Sequence, residues 1–99
     1  MLNINKTMEE GKACLALAGR LDTTTAPELE QALKDVLTDA KELKLDFSAL
    51  EYISSAGLRV LLSAQKFMNK QGQMRIAHVN DTVMEIFEVT GFADILTIE

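Results

Sequence analysis

The chain is poor in the residues that carry most enzyme chemistry. It has one cysteine, Cys14, one histidine, His78, and one proline, Pro27. A single cysteine allows no intrachain disulfide, and nothing here points to secretion. One Cys and one His give no metal-ligand spacing, so neither a metal nor a cofactor is expected. No G-x-x-x-x-G-K-[ST] or G-x-G-x-x-G string occurs, which excludes the familiar phosphate-cradling loops. No apolar run approaches the ~20 residues that cross a bilayer. The start, MLNINKTMEEGK, lacks the basic opening and apolar core of a secretory signal. A cytoplasmic location is expected.

Basic residues are also scarce: 10 Lys and Arg stand against 15 Asp and Glu, a net charge of -5. That balance argues against nucleic acid, whose phosphates need clustered cations. It favours a basic partner surface over an acidic one. Lys66, Lys70 and Arg75 fall close together, but read as the solvated end of a helix. The 99 residues make one domain, spanning 1–99, with no repeats or linkers. An apolar fraction of 47% is enough to build a core in a chain of this size.

What is present is periodic. Residues 2–8, LNINKTM, and Lys12 to Gly19, KACLALAG, read as strands joined by a short turn, the second apolar on both faces and hence buried. Leu29, Ala32, Leu33, Val36 and Leu37 form a helical stripe. Thr25 and Glu28 before it have capping-box spacing, and Pro27 lies in the first turn. Glu42 to Ser48 reads as a third strand, with Leu43, Leu45 and Phe47 on one face. Leu58, Leu61, Leu62 and Met68 mark a second helix that ends at a cap, Gly72. QMRIAHV is a fourth strand, and DTVMEIFEVTG a third helix, with Thr82 and Glu85 in capping-box spacing and Gly91 as its stop. ILTIE is a candidate last strand. Single helices between strands demand crossovers. The expected fold is therefore α/β: a four- to five-stranded mixed sheet, antiparallel at its first strand and otherwise largely parallel, packed with three main helices.

Enzyme constellations are hard to assemble from these residues. A Ser-His-Asp set would have to use Ser54 or Ser55 with His78, yet His78 falls inside an apolar strand, where histidine is usually structural. Cys14, in a buried strand, reads as a small core residue. Asp22 and Asp46 are strand-end carboxylates with no local partner as general acid or base. A binding module is expected rather than an enzyme.

The informative stretch is Glu51 to Leu62, EYISSAGLRVLL, which leaves the third strand and enters the second helix. Functional loops of open α/β sheets lie at that edge. Ser54 and Ser55 sit at or beside the N-cap, where a serine hydroxyl accepts from orphan N–H groups. The alternative is a phosphorylated serine. A phosphate adds about -1.5 to -2 charge, which a helix N-terminus tolerates. Arg59 follows Ser55 by four residues, one turn along the same face.

The segments GRLDTTTAPEL, LDFSALEYISSAGLRVLL and VTGFADILTI together resemble a STAS domain of the anti-sigma factor antagonist family, over essentially the whole chain. That family carries a D-S-[ST]-G loop in which the serine two residues before the glycine is phosphorylated. Gly57 matches the glycine, so the resemblance implies Ser55 as the phosphosite, with Ser54 the less favoured acceptor. Ser54 stands where the family has aspartate, and Ala56 takes the second hydroxyl position. Asp22 matches the aspartate after the second strand. The implied partner-binding set is Asp22, Thr24, Ser54, Ser55, Gly57 and Arg59.

The implied partners are an anti-sigma factor that is also a GHKL-type serine kinase, and a metal-dependent serine phosphatase. The unphosphorylated form binds the anti-sigma factor and frees a sigma factor; phosphorylation ends binding. No nucleic acid or membrane is implied, and the free chain is expected to be a monomer. Two alternatives are a constitutive STAS interaction subunit of a signalling or transport assembly, and a small hydrolase using Ser55.

Overall fold

Alternation of apolar residues in the first twenty positions produces a hairpin. β1 (Leu2–Glu9) pairs antiparallel with β2 (Lys12–Leu21), from Leu2↔Gly19 to Glu9↔Lys12. Glu10 and Gly11 make the turn with φ of 50° and 80°. Two left-handed residues give a primed turn, whose twist matches that of the strands. The computed structural model describes residues 2–99. After the hairpin come α1 (Ala26–Leu37), β3 (Glu42–Ile53), α2 (Ser55–Gln71), β4 (Gln73–Ala77), α3 (Asp81–Thr90) and a 3-10 turn, Phe92–Asp94.

The sheet order is β1-β2-β3-β4, with β2, β3 and β4 parallel. Both crossovers step one strand in the same direction. Right-handed connections then put α1 and α2 on the same face. Leu15, Leu17 and Leu21 of β2, Leu43, Leu45 and Phe47 of β3 and Met74 and Ile76 of β4 are all fully buried. They form one core with Leu29, Leu33 and Val36 of α1, Leu61 and Met68 of α2, and Val83 and Phe87 of α3. The opposite face is open.

That openness corrects the reading of β2 as buried on both sides. Ala13, Leu15 and Leu17 are buried, whereas Cys14, Ala16 and Ala18 are only half-buried. The outward positions carry small residues instead of polar ones, which hid the alternation. Cys14 is thus an open-face residue and no part of the core.

β3 also runs further than its expected end at Ser48, to Ile53. Its register against β2 slips between Ala16 and Ala18 and again between Gly19 and Arg20. Each slip is a bulge holding one extra β3 residue, so the inward spacing stretches from Phe47 to Leu50 to Ile53. At the first bulge the Asp46 carboxylate accepts the Ser48 N–H at 2.9 Å.

β4, by contrast, stops at Ala77. His78 lies beyond the strand with a φ of 60° and an exposed ring, not inside an apolar strand as expected. The last segment supplies a single bridge, Ile76↔Ile98, and not a strand, so the sheet has four strands among the described residues.

Neither expected capping box forms. Thr25 is the N-cap of α1, but its hydroxyl donates to the Arg20 carbonyl at 2.9 Å. Thr82 lies inside α3, whose N-cap is Asn80. Asn80 Oδ1 accepts the Val83 N–H at 2.8 Å, and its Nδ2 donates to the Leu50 carbonyl at 2.7 Å, tying α3 to β3. Gly91 closes α3 in the left-handed conformation, φ 82°. Gly72 ends α2 for a different reason. Its backbone is extended, and a Cβ there would lie 1.8 Å from the Lys41 carbonyl oxygen.

Candidate functional site

The last rung between β2 and β3 is Leu21↔Ile53, and the Ser54 N–H donates to the Leu21 carbonyl at 2.9 Å. Asp22 and Ser54 therefore leave the sheet side by side. The β2–α1 and β3–α2 loops form one surface at the C-terminal edge of the parallel strands, the usual place for function in such sheets.

The first loop is held by Asp22. Its Oδ1 accepts from the Thr24 hydroxyl at 2.8 Å, the Thr24 N–H at 3.0 Å and the Thr25 N–H at 3.2 Å. The Thr25 hydroxyl oxygen in turn accepts the Asp22 N–H at 2.8 Å. Donation from the Thr24 hydroxyl, helped by the Thr24 and Thr25 N–H groups, holds the Asp22 carboxyl below the usual aspartate value. Asp22 and Thr24, both expected in the site, thus bond first to each other.

The second loop separates the two serines. Ser54 is the N-cap of α2, with extended backbone, and its carbonyl accepts the Leu58 N–H at 3.0 Å. Its hydroxyl does no capping: Oγ is buried and without a hydrogen-bond partner among the described residues. Ser55 is the first residue of α2 and is exposed. No acidic residue occupies the first turn, so the positive end of this 17-residue helix is unopposed by charge. Gly57 is buried beneath the loop, against Leu21 and Ile53, so it shapes the site from below and offers no surface. Arg59 is exposed one turn after Ser55.

Two further residues join this surface that the sequence reading missed. Arg20 and Tyr52 are register partners, and the Arg20 guanidinium lies 4.5 Å from the centre of the Tyr52 ring, a cation–π contact. Arg20 Nε also stands 3.9 Å from Asp22 Oδ2. The pairing becomes visible only once the two β3 bulges are counted.

His78 is not brought to the serines. β4 ends level with Asp46, and the His78 Nδ1 lies 3.0 Å from Asp46 Oδ1. Ser54 is eight residues further along the chain, roughly 25 Å of extended strand before the bulges shorten it. No Ser-His-Asp arrangement forms there. Among the described residues no group of three or more His, Cys, Asp and Glu is placed to hold a metal, and no helix is long and apolar enough to cross a membrane.

Comparison with known proteins agrees with this geometry. The anti-sigma-B factor antagonist of Bacillus subtilis is 26% identical over 98 residues, covering 98% of this chain and 90% of that protein. The crystal structure of an anti-sigma factor antagonist from Mycobacterium paratuberculosis superposes with a TM-score of 0.89 at 24% identity, covering 99% of this chain and 85% of that one. SpoIIAA of Bacillus in its phosphorylated form superposes with a TM-score of 0.77 at 14% identity, covering 98% and 91%. A family model described as "Mlab, STAS domain" matches residues 4–97. With that match spanning nearly all of the sheet and its helices, the chain belongs to the STAS domain family.

Proposed function

We propose that this chain is an anti-sigma factor antagonist whose binding is switched off by phosphorylation of Ser55. One observation carries the choice of residue: Ser55 is exposed on the first turn of α2, while the neighbouring Ser54 hydroxyl is buried. A kinase can reach only the first without unfolding the loop. The similarity to proteins named anti-sigma-B factor antagonist, and to a solved phosphorylated antagonist, supports the assignment.

The unphosphorylated form binds an anti-sigma factor through the joined loops, with Asp22, Thr24, Ser54, Ser55 and Arg59 at the surface and Gly57 beneath. That frees a sigma factor. The anti-sigma factor, acting as a GHKL-type serine kinase, transfers the γ-phosphoryl group of ATP. The Ser55 oxygen attacks phosphorus, its proton leaves, and ADP departs. A metal-dependent serine phosphatase returns the hydroxyl by hydrolysis with water. The new dianion is tolerated by the helix N-terminus and the Arg59 side chain. A partner docked over the loop is not so placed, and the difference in affinity between the two charge states moves the equilibrium.

The test is phosphopeptide mass spectrometry on the protein from its own cells across growth phases, with Ser55→Ala and Ser55→Asp variants assayed for anti-sigma factor binding. Condition-dependent phosphate on Ser55 and loss of binding by Ser55→Asp are expected. A second reading, a constitutive interaction subunit, is favoured by Ser54, uncharged and with its hydroxyl buried where the family motif has aspartate. It requires an unmodified peptide under every condition and a Ser55→Asp variant that still binds.

A further inference from the structure

The charge of this protein is unevenly distributed. Between Glu51 and Asp81 there is no carboxylate, although the whole chain has a net charge of -5. α2 lies in that interval and carries Arg59, Lys66 and Lys70, all exposed. None of the three forms an ion pair among the described residues, whereas Lys6, Lys12, Arg20 and Arg75 each do. At 3.6 residues per turn, Ser55, Arg59, Lys66 and Lys70 fall within an arc of about 60°. They form one stripe along the solvent face of the helix.

Beside the stripe, on the side toward α1, lies an apolar groove of about 160 Å³ lined by Leu33, Leu37, Val60, Ala64 and Phe67. Phe67 is 43% exposed and forms part of the groove wall. The groove is close in size to the ~150 Å³ that holds a benzene-sized group. Glu30 and Lys34 rim it from α1 with cancelling charge.

We infer that this face of α2 is the docking surface for an acidic, amphipathic helix of a partner protein, one apolar side chain of which enters the α1–α2 groove. Charge complementarity selects that occupant. A basic partner, favoured by the net charge alone, meets like charge here, and like-charge contact disfavours association. Three cations on one helix, in a chain with an excess of carboxylates, are too few for the counterion release that drives nucleic-acid binding.

The inference rests on the proposed switch only in placing Ser55 at one end of the stripe. A phosphate there sets a dianion against the acidic partner and draws Arg59 out of the stripe, one turn away.

The test uses two synthetic helical peptides with the same leucine stripe, one with glutamate and one with lysine at its polar positions. Each is titrated into the ¹⁵N-labelled, unphosphorylated full chain. The glutamate peptide should shift the amides of Arg59, Ser63, Lys66, Phe67 and Lys70, and the lysine peptide should not. An R59E/K66E/K70E variant should weaken the glutamate peptide about ten-fold or more and gain affinity for the lysine peptide. Phe67→Ala, at a position 43% exposed, should weaken binding without changing its salt dependence. No binding, equal binding of the two peptides, or shifts confined to the open sheet face would each overturn the inference. So would stronger perturbation of the same amides by duplex DNA or by anionic vesicles. Peptide binding with Ser55 never phosphorylated in cells would leave the surface standing and remove the switch; phosphorylated Ser55 without peptide binding would do the reverse.

Discussion

Gly57 packs directly onto Leu21: a Cβ added to it would stand 2.7 Å from Leu21 Cγ and 2.9 Å from Ile53 Cγ1. Leu21 and Ile53 are fully buried and paired across the last rung of the sheet, so neither can move aside easily. Alanine is otherwise preferred in a helix by about 1 kcal/mol, so contact and not propensity requires the glycine. Gly57→Ala should destabilise the protein by about 1–3 kcal/mol, seen as a lower denaturant midpoint. It should also lift the first turn of α2 and with it Ser55, reducing partner affinity. An unchanged midpoint would show that the helix start slides freely.

What could be read from the sequence was what kept a regular period. Helical stripes such as Leu29, Leu33 and Val36 were legible because their spacing reports burial on one face directly. The serine loop was legible because it follows a strand and opens a helix. β3 beyond Ser48 was not, since its bulges break the two-residue period on which strand recognition depends. Arg20 and Tyr52 were hidden for the same reason. His78 was misplaced because QMRIAHV continues an apolar run that the backbone leaves at Ala77. The capping boxes failed because Asn80 and the Arg20 carbonyl offered closer partners than a fixed spacing can register. The charge asymmetry of α2 was present in the sequence, but its meaning needed the groove beside it.

Two carboxylates with lowered pKa should contribute to the loss of stability in acid. Asp22 is held below its usual value of 3.8 by the Thr24 hydroxyl and the loop N–H groups. Asp46 is held below 3.8 by the Ser48 N–H and His78. Folding with a depressed carboxyl pKa adds stability that is complete above the unfolded value and lost as pH falls through the folded one. Stability should therefore drop below about pH 4. Asp22→Asn and Asp46→Asn should each flatten that limb while lowering stability at neutral pH. Urea denaturation across pH 2–7 checks this, and an unaltered acid limb in both variants would remove the two carboxylates as its source.

α1 and α2 are joined at one end by a single amide. Gln71 Nε2 donates to the Leu37 carbonyl and, at 2.7 Å, to the Ala40 carbonyl. Gln71→Ala leaves two acceptors at the C-terminal end of α1 without this donor, at a cost of about 1–3 kcal/mol. Amide hydrogen exchange should rise across residues 36–42 more than in the β1–β2 hairpin. Uniform exchange would mean that the amide contributes only to global stability.

Ser54 decides whether the serine pair includes a cap. A serine whose hydroxyl bonds the first-turn N–H groups loses about 0.5–2 kcal/mol on replacement by alanine. Here the hydroxyl bonds nothing and is buried, which itself costs about 1–3 kcal/mol relative to water. The carbonyl, which alanine keeps, already accepts the Leu58 N–H. Ser54→Ala should therefore cause no loss and a gain of up to about 1 kcal/mol, read as an unchanged or raised urea midpoint with the same slope. Ser55 would remain exposed, so phosphorylation of the Ser54→Ala chain should proceed at the wild-type rate. A loss near 1 kcal/mol would mean that the hydroxyl rotates to cap α2 in solution. Loss of phosphorylation with stability intact would move the acceptor to Ser54 and overturn the assignment of Ser55.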